Sequence, residues 1–237
     1  MDLELTFEER RIVGALVEKA FTTPDQYPLT LNSLVNACNQ KSCRNPMTSF
    51  GEELVLDTLD ELRRKSLCCV VQPIGSRTDK WRHEFRDTLE ISGPECAVLT
   101  ELLLRGPQTD GALRQNAKRM VPFESKEVLY QTLEGLMSRE TPLVVRLSPE
   151  GQKRGVRYAH TLYSSNELER LRQEEAAVSA SAVESASRSS SAASETSSAR
   201  AREIEALKEK VGTLEERIEE LSGLAERIER LERELGL

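Results

Sequence analysis

The chain has 237 residues, of which 38% are hydrophobic, 4% aromatic and 31% charged, and its formal net charge is −7. Such a low aromatic content argues against one large core and favours small domains with extensions. The acidic N-terminal residues do not resemble a signal peptide, and the apolar run at 98–104 is too short to span a membrane. We therefore expect a cytoplasmic protein that makes no membrane contact.

The cysteines do not follow the spacing of a zinc site. Four residues separate Cys38 from Cys43, while Cys68 and Cys69 are adjacent and would point to opposite faces of a strand. An odd number of cysteines without an export signal indicates reduced thiols. The sequence also lacks a G-x-S-x-G elbow, a Walker loop, a dinucleotide fingerprint and an H-E-x-x-H motif. We therefore expect no metal, no cofactor and no enzymatic activity.

Helical spacing predicts three helices in the first part of the chain. Thr6 and Glu9 have the S/T-x-x-E spacing of a capping box, so the first helix begins there. Thr30 is the predicted N-cap of a second helix, and a third runs from about residue 49 to 65. Two β-rich segments around a turn, at 67–74 and 80–85, then predict a two-stranded wing. The apolar positions of the third helix that we expect to face the core are Leu54, Val55, Leu59 and Leu62.

The same order of elements recurs further along the chain. Ser92 and Glu95 repeat the capping-box spacing 86 positions after Thr6 and Glu9. Thr109 and Ser125 then cap two further helices, and strands are predicted at 143–147 and 156–162. The sequence therefore predicts an α+β, mainly α fold of tandem winged-helix domains, at 1–88 and 89–163. Two unrelated small α+β units are the alternative.

The stretch NACNQKSCRNP joins the second and third predicted helices. Asn39 can end a helix in the left-handed conformation, and Pro46 disfavours helix at the residue before it. The stretch contains no glycine, so it is not a phosphate-cradling loop. It predicts a polar turn that carries Lys41 and Arg44, either simply solvated or in contact with a partner.

Three motifs resemble the YceH-like bacterial family, domain of unknown function 480. They are EKAFTTPDQYPLTLNSLVNACNQKSCRNP at 18–46, LLLRGPQT at 102–109 and RYAH at 157–160. The resemblance covers about residues 3–163 and implies a tandem winged-helix fold, but it implies no settled activity. Asp110 and Ala112 depart from it, since the family usually has proline and glutamate there, which leaves the role of that helix start open.

The C-terminal part changes character twice. Residues 164–201 predict a short polar helix, from about 166 to 178, and a serine- and alanine-rich flexible linker. Residues 202–237 are predicted to form a coiled coil. From Ile204 to Leu221, β-branched side chains stand at a and leucine at d, which is typical of a parallel dimer, and the spacing then slips by three to Leu224. A lone amphipathic helix that packs back on the body is the alternative. The predicted homodimer residues are Ile204, Leu207, Val211, Leu214, Ile218, Leu221, Ile228 and Leu231.

The distribution of charge leaves two functions open. The third helix of the first domain carries five acidic residues, which phosphate repels, whereas the wings and the second domain carry basic residues that could neutralise DNA. We expect a dimeric DNA-binding transcriptional regulator; the alternative is a protein-interaction or scaffold module. The candidate DNA-binding residues are Lys41, Arg44, Arg77, Lys80, Arg82, Arg114, Lys118, Arg119, Lys126, Tyr130, Gln131, Lys153, Arg154 and Arg157.

Overall fold

A computed structural model of the chain describes residues 3–72, 78–152 and 155–177. The elements of the first half are α1 (Phe7–Thr22), β1 (Leu29–Thr30), α2 (Leu31–Cys38), α3 (Glu52–Arg64), β2 (Cys68–Val71), β3 (Lys80–His83) and α4 (Phe85–Thr88). The second half contains α5 (Gly93–Arg105), β4 (Gln108–Thr109), α6 (Asp110–Ala117), α7 (Lys126–Met137), β5 (Val144–Arg146) and β6 (Arg157–His160). A last helix, α8, covers residues 165–177. The described chain is therefore α+β, as predicted.

Both predicted capping boxes are present. The Glu9 amide donates to the Thr6 hydroxyl at 3.2 Å, and the Thr6 amide donates to the Glu9 carboxylate at 2.8 Å. Ser92 and Glu95 form the same pair of bonds at the start of α5. Thr30, Thr109 and Ser125 also cap the helices that follow them. These five predicted helix starts are confirmed because each depends on bonds between residues three apart. Helix α3, predicted from about residue 49, begins at Glu52 after Gly51, which has no side chain to cap it.

Each half contains a three-stranded antiparallel sheet, with strand orders β1-β3-β2 and β4-β6-β5. Trp81 lies at the centre of the first sheet, where it pairs with Leu29 and Val70. The two-residue strands β1 and β4 are too short for a sequence pattern. The strand predicted at 80–85 ends at His83, because Phe85 begins α4 and buries its ring fully.

The expectation that there is no large single core is wrong: the two halves share one hydrophobic core, in which α1 packs against α5. Leu16 of α1 and Leu99 of α5 are fully buried. A Cβ on Gly14 would lie 2.9 Å from Leu104 Cδ2, so glycine lets the two helices approach closely. The described residues belong to one compact unit.

Helix α8 extends this unit and agrees with the short helix predicted after residue 164. Arg10 of α1 binds the Glu167 carboxylate with two nitrogens, at 2.9 and 3.1 Å. The predicted linker after residue 177 and the coiled coil at 202–237, with its residues from Ile204 to Leu231, lie outside the described residues. Within the described ranges, every helix is too short or too polar to cross a bilayer.

Candidate nucleic-acid interface

The loop between α2 and α3 is held closed by its own polar groups. The Asn39 side chain accepts from the Phe50 amide at 2.8 Å and donates to the Phe50 carbonyl at 2.9 Å. Asn39 ends α2 as predicted, but with φ −91° rather than in the left-handed region. The loop also reaches the second half, because the Asn45 amide donates to the Leu104 carbonyl at 2.9 Å. The family-like motif is therefore a structural connection between the halves.

Arg44 is not a surface cation. Its side chain is 0% exposed and forms an ion pair with the Glu18 carboxylate of α1. It also donates to the Ala37 carbonyl at 2.8 and 3.1 Å, and to the Cys43 carbonyl at 2.9 Å. The expectation that Arg44 lies on an exposed turn is wrong, because α1 supplies a buried carboxylate beneath that turn.

Arg119 joins the same buried network from the second half. It forms ion pairs with Glu18 and with Glu101, the latter at 2.6 Å. Arg105 Nε lies 3.1 Å from the other Glu101 oxygen, without hydrogen-bond geometry. Burial alone raises the pKa of Glu18, but hydrogen bonds and charges from Arg44 and Arg119 outweigh it, so that pKa lies below its usual value. Arg119 thus shares Glu18 with Arg44 and Glu101 with Arg105, and its bond to Glu18 joins the two halves.

Other predicted DNA contacts in the second half are also engaged within the chain. Arg114 donates to the carbonyls of Phe123 and Glu124, at 3.3 and 3.1 Å. Asp110 accepts from the Tyr130 hydroxyl at 2.6 Å and pairs with Lys126 at 3.0 Å. Asp110, which departs from the family motif, therefore contacts α7 and orients the side chains of Lys126 and Tyr130.

Two wing arginines have carboxylate partners as well. Arg82 of β3 lies 2.7 Å from Glu84. Arg157 of β6 lies 2.8 Å from Glu175 of α8 and donates to the Pro107 carbonyl at 3.2 Å. Their cationic charge is thus partly cancelled at the wings.

The remaining candidates divide into two groups. Lys41, Lys118 and Gln131 are exposed and Lys80 is half-buried, and no ion pair joins them to any described residue. These four side chains remain available at the surface of the described chain. Arg77, Lys153 and Arg154 lie outside the described residues.

Helix α3 presents an acidic outer surface. Glu52, Glu53 and Asp57 are exposed and form no ion pair within the described ranges. Leu54 is 41% exposed, so its predicted place in the core is wrong. At 100° per residue it lies at the edge of the stripe centred on Val55, rather than within it. Leu56 is 43% exposed on the opposite flank.

The sequence did not indicate the buried carboxylates Glu18, Glu101 and Glu175. Glu101 stands inside the apolar run of α5, and such a charge in an otherwise buried stripe signals a paired group. Glu18 follows the apolar residues Leu16 and Val17 but stands beside Lys19 near the end of α1, and Glu175 occurs among polar neighbours, so neither is singled out as clearly. Only their contacts with Arg44, Arg119 and Arg157 identify them.

Comparison with known proteins agrees with the family resemblance. A family model described as a protein of unknown function, DUF480, matches residues 5–153. A UPF0502 protein of Pelobacter propionicus is 48% identical over 162 residues, which covers 68% of this chain and 74% of that protein. A UPF0502 protein of Hahella chejuensis is 47% identical over 171 residues, with 70% and 77% covered. The family match ends before α8, so that helix lies beyond it.

Proposed function

Because the chain belongs to the DUF480 family, whose description names no activity, we propose from its own geometry that it binds double-stranded DNA without catalysis. Regulation of transcription is the role we propose for that binding. In this proposal each half is a winged helix, and the second half contacts the DNA. The predicted coiled coil would bring two copies together and raise the avidity.

The observation that carries this proposal is the shared order of elements in the two halves. In each, a helix and a short strand precede two consecutive helices and an antiparallel hairpin. The pairs α2–α3 and α6–α7 correspond to a helix-turn-helix, in which the second helix enters the major groove. The hairpin then corresponds to the wing, which follows the phosphate backbone.

Charge favours the second half over the first. Residues 91–163 carry more basic than acidic side chains, whereas residues 1–90 are acidic overall. Lys118 and Gln131 are exposed on the α6–α7 side of the chain. In the first half, the exposed carboxylates of α3 would repel phosphate at the position of the recognition helix. The ion pair of Glu18 and Arg119 holds the second half against this acidic first half.

Fluorescence anisotropy of a labelled duplex, titrated with the full-length chain at several salt concentrations, tests the proposal. We expect binding at about 50 mM salt that weakens linearly in log–log form as salt rises. Lys118→Glu should lower the affinity and reduce the salt slope by about 0.9, because one phosphate contact is lost.

The matched control is Lys41→Glu, which makes the same charge change on an exposed turn of the first half. It should have a smaller effect than Lys118→Glu. Equal losses would indicate a response to net charge alone. Absence of binding by the wild-type chain at about 50 mM salt would rule out the DNA proposal.

A second candidate function is protein binding, which the surface of α3 favours. Its exposed carboxylates and two exposed leucines suit a basic partner with apolar side chains. A photo-crosslinking residue at position 56 should then capture one recurrent protein that mass spectrometry identifies. Glu52→Lys together with Glu53→Lys should remove that product; capture of varying proteins, or no loss, would reject this candidate.

A further inference from the structure

We propose that α8 acts as an autoinhibitory strap, a helix that lies against the second wing and blocks a DNA contact. Its Glu175 binds the Arg157 guanidinium at the base of that wing. DNA must displace this carboxylate before a phosphate can take its place on Arg157 Nη1. The inference rests on the proposed DNA-binding function and adds a means of regulating it. The strap belongs to this chain and lies beyond the part that the family model matches.

The contact is specific and mostly buried. Glu175 is 5% exposed, and its two oxygens have different partners. One oxygen lies 2.8 Å from Arg157 Nη1, and the other accepts from the Ser148 hydroxyl at 3.1 Å. Ser148 in turn accepts from the Arg157 amide at 2.9 Å. A single carboxylate is therefore held by both sides of the β5–β6 hairpin.

This carboxylate competes with phosphate for the same donor. The guanidinium fork of arginine binds carboxylate and phosphate oxygens in similar geometry. The Arg157 side chain is 39% exposed, so a phosphate can approach the group that Glu175 holds. While Glu175 is bound, it offsets part of the charge of Arg157. Helix α8 also carries more acidic than basic side chains, which disfavours an approaching backbone. Its acidic residues are Glu167, Glu169, Glu174 and Glu175, against Arg170 and Arg172.

The helix is attached in a way that permits release at one end. Glu167 binds Arg10 in the first turn, and Glu175 makes the second attachment near the other end of the described helix. Between them, Leu168 and Leu171 are half-buried and the remaining side chains are exposed. Few buried apolar contacts mean a low free energy of local opening. Loss of the Glu175 contact can therefore free this end while Glu167 keeps the first turn in place.

The test compares Glu175→Gln with Glu174→Gln in the full-length chain. Both remove one negative charge from adjacent positions of α8, but Glu174 is exposed and forms no ion pair with any described residue. Anisotropy with the labelled duplex should show Glu175→Gln binding about two- to five-fold more tightly, the range of a partly exposed ion pair. Its salt slope should steepen by about 0.9 because one phosphate contact is gained. Glu174→Gln should stay closer to wild type.

A second variant identifies the freed group. Adding Arg157→Gln to Glu175→Gln should abolish the gain, because the guanidinium is then missing. A measurement on the unmutated chain gives independent evidence: saturating duplex should increase amide hydrogen exchange within residues 165–177. Both results are expected if DNA displaces the strap.

The outcomes separate the two proposals. Suppose that the wild-type chain binds duplex. If the two glutamine variants then have equal affinities, or if DNA leaves hydrogen exchange in α8 unchanged, the autoinhibition proposal is wrong while the DNA-binding proposal stands. If neither the wild-type chain nor Glu175→Gln binds duplex at about 50 mM salt, the proposed function itself is wrong.

Discussion

Replacing Arg44 with methionine tests how much the buried ion-pair network around Glu18 stabilises the fold. Methionine retains an unbranched side chain but removes a guanidinium that is 0% exposed. The Ala37 carbonyl then loses two donated hydrogen bonds, and Glu18 keeps Arg119 as its remaining ion-pair partner. Breaking one side of a buried ion pair costs about 3–5 kcal/mol. We expect about 3 kcal/mol here, because Arg119 still compensates Glu18.

Urea unfolding of the full-length chain measures this loss through tryptophan fluorescence. Trp81 is the single tryptophan and is 4% exposed, so it reports on the first half. A loss of about 3 kcal/mol is a large share of the roughly 5–15 kcal/mol that stabilises a typical protein. The midpoint should fall clearly while the denaturant slope stays the same.

The matched control is Arg172→Met, which removes an arginine whose pair with Glu169 is exposed on both sides. Its midpoint should not move measurably, because exposed ion pairs contribute little. If Arg44→Met also changes stability by less than about 0.5 kcal/mol, the usual range of surface substitutions, the network does not hold the fold together.

Three further predictions concern titration and thiol access. The pKa of Glu18 lies below its usual 4.5, so as the pH falls through 4.5 this carboxylate takes up a proton in the unfolded state first. The free energy of unfolding therefore decreases as the pH falls below 4.5. Glu18→Gln should flatten this decrease in urea unfolding measured at several pH values. Burial, and then the charge of Arg10, hold the pKa of His160 well below 6.5, so stability should also fall as pH drops below 6.5. His160→Phe, which keeps a ring stacked on Tyr163, should weaken the pH dependence of the thermal unfolding temperature. The same pH dependence in the variant would contradict the assignment of this effect to His160. Iodoacetamide should modify the half-buried Cys43 and Cys69 first, as mass spectrometry can show. Three buried thiols should react only after unfolding, because burial raises their pKa to about 12; they are Cys38, Cys68 and Cys96. Labelling of these three in the native chain would refute this order.

The sequence predicted the helix starts well because their determinants are local. Thr6 with Glu9 and Ser92 with Glu95 are three residues apart, so spacing alone indicates the bonds. Strand ends were less predictable. The strand predicted to reach residue 85 stops at His83, because burial of Phe85 in the shared core decides where α4 begins.

The candidate site was predicted less completely than the fold. Residue type indicated which side chains could bind phosphate, but exposure and pairing decide whether they can reach it. Lys118 and Gln131 remain exposed, whereas Arg157 is engaged by Glu175. The exposure of Leu54 was missed because apolar periodicity does not resolve the edge of a buried stripe.

By itself, the sequence determined the α+β class, the twofold order of elements and the capped helices, since these depend on neighbouring residues. Tertiary structure alone decided the role of the basic side chains. Glu18 and Arg119 are 101 positions apart, and no local spacing relates them. Their pairing, together with the burial of Arg44, arises where α1 and the second half meet. Folding thus buries Arg44 against Glu18 within the first half and makes Arg119 a connection between the halves, because a charge buried beside a carboxylate is more stable paired than free.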